Sequence, residues 1–180
     1  MRLIAALWLL LMCSACGVAA QPEGAKTVAA FEIPLPTERE RAEFIAIVRD
    51  AAEAEGHHLD AADEEELRDT ASAIPEARMT VHAAVWRGSD DDEPLATIMD
   101  QADHLGLVWI MFSKGEDPDL NRRFQERAMK AIMNRWPNTL SLPIMPNGAI
   151  PLHGDLVRTP TGYEVSPAEA SKYELRETDR

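Results

Sequence analysis

The chain has 180 residues, with 31 Asp plus Glu against 18 Lys plus Arg and a formal net charge of −13. That acid excess disfavours phosphate backbones and anionic lipid head groups, which excludes a simple nucleic-acid-binding role, and it favours encounter with basic partners. A chain of this length makes one domain with its own core, and its only two cysteines, Cys13 and Cys16, lie too close to the N-terminus to staple that core.

Arg2 precedes an unbroken apolar run from Leu3 to Met12, followed by Cys13-Ser14-Ala15-Cys16-Gly17. A positive start, about ten apolar residues and then small residues make a secretory signal, whereas about twenty apolar residues are needed to span a bilayer. Ser14-Ala15-Cys16-Gly17 resembles the lipobox of bacterial lipoproteins, although Cys13 stands where that motif usually has an aliphatic residue. The resemblance implies that residues 1–15 are a signal peptide and that Cys16 is lipidated and becomes the new N-terminus. Several acyl chains on one cysteine, at ~0.8 kcal/mol per buried methylene, anchor a protein durably. Gly17 in place of Asp implies, by the same resemblance, the outer membrane facing the periplasm. Two other processing routes compete: cleavage after Val18-Ala19-Ala20, which would release a soluble periplasmic protein starting at Gln21, and lipidation at Cys13. The C-x-x-C spacing of the two cysteines suggests a redox or metal pair, but the two leading routes leave at most Cys16 in the mature chain. Loss of residues 1–15 removes Arg2 and no acid, so the mature charge is −14.

Residues 16–30 lack periodicity and carry Pro and Gly, as a tether does. Phe31 to Leu35, closed by Pro36, reads as an edge strand. Thr37-x-x-Glu40 is a capping box, and Phe44, Ile47, Val48, Ala51 and Ala52 recur at helical spacing until Gly56 stops the helix. His57 to Leu59 reads as a brief strand and Asp63 to Ser72 as a short acidic helix. Met79 to Arg87 and Leu95 to Asp100 form a hairpin about the acidic run Ser89 to Glu93, and Leu107 to Ser113 supplies a third antiparallel strand. Asp117 as cap and Pro118 at the first helical position open a second helix that ends before Pro137. Leu140 to Met145 and Ala149 to Leu152 read as short strands about Pro146-Asn147-Gly148, and Ser166-Pro167-Ala168-Glu169 starts a last short helix. The expected architecture is an α+β domain over residues 31–157, a two-layer sandwich of an antiparallel sheet and two main helices, with ferredoxin-like order as one arrangement. Residues 158–180 are expected to form a C-terminal extension.

No nucleophile elbow, S-x-x-K, H-E-x-x-H or calcium-loop pattern occurs in the mature chain, and neither a metal nor a cofactor is expected. His57 and His58 with Asp60 and Asp63 are the densest group of ligand-type side chains, but a solvated helix exit explains them. Asp100 with His104, and His153 with Asp155, are the His and Asp pairs that could serve acid–base chemistry. His82 reads as a packed or edge histidine. Candidate interaction residues are Asp90, Asp91, Asp92 and Glu93 at the hairpin tip, Trp86 among three tryptophans that otherwise read as core, and Arg122 and Arg123. With Arg127, those two could hold a carboxylate or phosphate, but a cationic face beside so many acids is more often a charge-paired surface. The expected function is non-enzymatic: a periplasm-facing protein-binding module with a basic partner, such as an immunity protein against a periplasmic toxin. An accessory lipoprotein of an envelope complex is the alternative, and a hydrolase with an unrecognised site stands third.

Overall fold

The computed structural model describes residues 27–62, 79–88, 93–101, 106–145 and 148–173. The expected acidic helix at 63–72, most of the hairpin tip, His104, the Pro146-Asn147 turn, Cys16 and most of the tether lie outside the described residues. The elements run β1 (Thr27–Pro34), α1 (Glu38–Ala54), β2 (His58–Ala61), β3 (Met79–Trp86), β4 (Ala96–Gln101), β5 (Leu107–Ser113), α2 (Pro118–Arg135) and β6 (Leu140–Ser141). A 3-10 turn (His153–Asp155), β7 (Leu156–Thr159), β8 (Gly162–Val165) and a second 3-10 turn (Ala170–Tyr173) follow.

The protein is α+β, and its described residues form two helices and one eight-stranded mixed sheet of order β2-β3-β4-β5-β1-β6-β8-β7. All described pairings are antiparallel except β6 with β8, which meet in parallel at Ser141 and Gly162. Four described strands lie between the two described helices, where a ferredoxin-like order has two. β1 is not an edge strand: it pairs with β5 along its length and with β6 on its other side. Pro34 is compatible with this because it closes the strand, where a missing N–H costs little. The tether ends by Thr27, where β1 begins. The boundary expected after residue 157 falls inside β7, so residues 158–165 belong to the sheet. Residues 149–152, expected as a strand, are irregular.

Both helices start where their caps direct. The Thr37 side chain accepts from the Glu40 N–H and Glu40 answers to the Thr37 N–H, each at 3.2 Å, while Asp117 accepts from the Leu120 N–H at 3.1 Å. Their apolar stripes, led by Phe44, Val48, Phe124 and Ile132, bury Ile33, Val85, Ile98, Ile110 and Phe112 of the sheet. Phe112 meets Phe124 edge-on at 5.7 Å, and Phe44 meets Trp136 at 5.9 Å. The helix pair is also tied by charge: Arg127 lies 2.8 Å from Glu55 and Arg135 2.7 Å from Glu43. The opposite face of the sheet carries no helix among the described residues. Ala30, Met99, Trp109 and Leu142 form a second, smaller core there, with Ile150, Leu156 and Tyr163 of the C-terminal segment packed against it.

Candidate functional site

The densest polar constellation among the described residues lies in this second core, and it centres on Glu32. In β1 the side chains alternate, so Ile33 joins the helix-side core while Ala30 and Glu32 project to the other face. Register places Val81, Met99, Trp109, Glu32 and Leu140 in one row across β3, β4, β5, β1 and β6. Glu32 is only 3 % exposed. Its Oε2 accepts from Trp109 Nε1 at 3.0 Å and its Oε1 from the Tyr163 hydroxyl at 2.6 Å. His153 Nε2 lies 3.2 Å from Glu32 Oε2, with its ring between Trp109 (6.2 Å between centroids) and Tyr163 (5.5 Å). Burial first, then the hydrogen bond to Glu32, pushes the Tyr163 phenol up to about 12, so it remains a donor at neutral pH.

A second carboxylate is held in the same way one turn along. Asp155 is 8 % exposed. It accepts from the Tyr173 hydroxyl at 2.5 Å and from Lys172 Nζ at 3.2 Å. The Tyr173 oxygen in turn accepts from the Leu152 N–H at 3.1 Å. The Tyr173 hydrogen bond, followed by that from Lys172, holds the Asp155 carboxyl below its ordinary range. The chain's only two tyrosines therefore do the same job, each donating to a buried carboxylate within the C-terminal segment.

The expected His153 and Asp155 pair is thus divided: both come from one 3-10 turn, but His153 turns to Glu32 and Asp155 to Tyr173 and Lys172. A carboxylate engaged through both oxygens by Trp, Tyr and His partners is built to fix a position. It is not left as an open acceptor for a substrate proton. Glu32 escaped the sequence reading because a lone acid in an alternating strand looks solvent-facing. Its usable signals were its isolation within Val28 to Pro34 and the confinement of both tyrosines to the last twenty residues.

The other candidate residues do not converge on this cluster. Arg122 pairs with Asp119 at 3.0 Å and with Glu126 at 3.2 Å, and Arg123 reaches Glu55 at 3.4 Å, so α2 presents a charge-paired surface. Trp86 is half-buried at the end of β3, opposite His58, while Trp109 and Trp136 are buried. Glu93 is exposed; Asp90, Asp91 and Asp92 lie outside the described residues, as do Asp63 and His104. His57 is buried, whereas His58 and Asp60 are exposed on β2. His82 sits at the irregularity between Val81 and Ala83, where β3 shifts register. Among the described residues no three His, Cys, Asp or Glu side chains gather as a metal site, and no helix is long and apolar enough to cross a membrane. Comparison with protein-family models, with curated proteins and with solved structures gives no match to this chain.

Proposed function

We propose that this chain is a non-enzymatic envelope lipoprotein, anchored through Cys16, whose α+β domain binds another protein on the periplasmic side of the outer membrane. The supporting observation is electrostatic. All four arginines of α2 are paired with acids of the same chain, namely Asp119, Glu126, Glu55 and Glu43. The largest basic surface is therefore neutralised internally, and the net charge of −13 stands as a surplus of acid. A surplus of that size steers a basic protein and repels acidic ones. A basic toxin delivered into the periplasm fits this description, which makes immunity the sharper form of the proposal by analogy of class.

The test is capture from solubilised envelopes, and from cells receiving secreted toxins, with mass spectrometry of both the partner and the bait's own N-terminus. Acylated Cys16 with a stoichiometric basic toxin is the expected result. An envelope assembly component in place of the toxin moves the role to that of an accessory lipoprotein. A free Gln21 terminus with no partner overturns both the anchor and the binding role.

A further inference from the structure

We infer that His57 is an acid sensor whose protonation releases the edge strand β2 from the sheet. Three observations independent of the proposed function meet at this residue. His57 is 4 % exposed, and neither ring nitrogen has a hydrogen-bond partner among the described residues. The ring meets Phe124 of α2 edge-on at 5.7 Å, so its surroundings are apolar. It also stands at the junction between α1 and β2, directly after the Glu55 cap and Gly56.

A neutral imidazole in such a place already forgoes the partners water would give. Protonation adds a charge and turns both nitrogens into donors with nothing to receive them. The charged groups that act on the ring from neighbouring elements do not supply an acceptor. Glu55, at the end of α1, is engaged by Arg123 and Arg127 of α2. Arg87, beyond β3, and His58, on β2, oppose a positive charge. Burial, then Arg87, holds the His57 ring below its ordinary range despite the weaker pull of Glu55. A protonated ring therefore leaves its slot.

β2 is the element that follows it. β2 has four residues, pairs with β3 alone among the described strands and keeps only Leu59 packed against the core, its other three residues being exposed. Alternation puts His57 on the same side as Leu59, so the two are the inward anchors of this edge. With His57 withdrawn, Leu59 is the one inward side chain left to support the short ladder of β2 on β3, and the backbone edge of β3 from Ala83 to Trp86 opens more often. Imidazole is the side chain whose charge changes between about pH 5 and 8, so it is the group that reads a fall in pH across this range.

The sign and size follow from linkage. A ring held below its ordinary value of 6.5 when closed and released to that value when open favours opening as pH falls. Between about pH 7.5 and about pH 5.5 the open population of β2 rises, by at most about tenfold. The experiment is hydrogen exchange of residues 58–61 in the protein purified from envelopes, corrected for the intrinsic pH dependence of exchange and referenced to β5. The wild type is expected to lose protection there, by up to about tenfold, and His57→Phe, which keeps an apolar ring against Phe124, to lose none. Equal pH responses in the two proteins overturn the inference. NMR titration of the wild-type ring is a second readout that no misfolded variant can obscure: a midpoint below the ordinary value supports the sensor, and one at or above it refutes it.

Discussion

Replacing Tyr163 by Phe removes one hydroxyl and nothing else, and it isolates the bond that ties residue 163 to residue 32. The 2.6 Å contact is made to a carboxylate that is 3 % exposed, so the lost bond belongs to the charge-assisted class. Bonds of that class contribute about 1.5–3 kcal/mol, and the former acceptor lone pair is left in a site water does not readily reach. The expected loss is about 2 kcal/mol, which for a domain of this size lowers Tm by about 4–8 °C. Urea denaturation at neutral pH measures it, because a phenol pushed up to about 12 is fully protonated there. In a Glu32→Ala background the hydroxyl has already lost its acceptor, so the same Tyr163→Phe change should cost nothing further, giving a coupling energy of about 2 kcal/mol. A Tyr163→Phe cost below about 0.5 kcal/mol, or an equal cost in both backgrounds, would refute the claim that this bond docks the C-terminal hairpin. The pH sign is also fixed. A phenol whose folded value lies above its ordinary 10 contributes stability that is complete below pH 10 and disappears as pH rises through about 12.

Thr37→Ala should cost about 1 kcal/mol, with reduced helicity by circular dichroism, because it removes the side-chain acceptor that caps the Glu40 N–H at the start of α1; Thr37→Ser should restore most of it. Gly162→Ala should cost about 2 kcal/mol or more: the new Cβ would sit 2.6 Å from Ser141 Oγ and 2.7 Å from the Ser141 carbonyl, at a φ of +152°. Hydrogen exchange should place the damage in β7 and β8 and spare β3 to β5. Asp155 contributes stability that is present above its ordinary 3.8 and lost as pH falls through its lower native value. Asp155→Asn should flatten that acid limb of a stability–pH curve, and an unchanged limb would show that its bonds to Tyr173 and Lys172 are not made in solution.

What could be read in advance was what local chemistry decides. Thr37, Glu40 and Gly56 bound α1, Asp117 and Pro118 start α2, and the apolar stretches with their turns give β3, β4 and β5 nearly to the residue. Strand order is a matter of long-range pairing, and nothing in Phe31 to Leu35 reveals that β5 and β6 flank it. β7 and β8 are four residues each, with no sustained alternation of their own, and they exist because side chains dock them on the sheet. The Asn147-Gly148 pair drew a hairpin to the wrong place: the Met145 N–H does bond the Ala149 carbonyl, but the flanking residues do not continue as strands. Glu32 and Tyr163 lie 131 residues apart, so each looked like an ordinary surface residue until folding placed them together.

The two faces of the sheet are specified by different physics. On the helix side, long apolar stripes interdigitate and the sequence pattern alone sets which residues are buried. On the other side β6 offers two residues, and its ladder to β8 is a single pair, Ser141 with Gly162, too little to fix how the hairpin sits. Apolar contact among Leu142, Ile150 and Leu156 is non-directional and tolerates sliding. Glu32 does not, since only one placement brings Tyr163 and His153 to it at once. The buried network therefore acts on register more than on total stability, a role in which such groups are best attested. A double Glu32→Leu, Tyr163→Phe variant, with both sides of the contact apolar, should recover much of the stability lost by Glu32→Ala alone. It should nevertheless show more than one set of NMR resonances for residues 153–165. One sharp set would mean that packing fixes the hairpin unaided and that the carboxylate is dispensable for position.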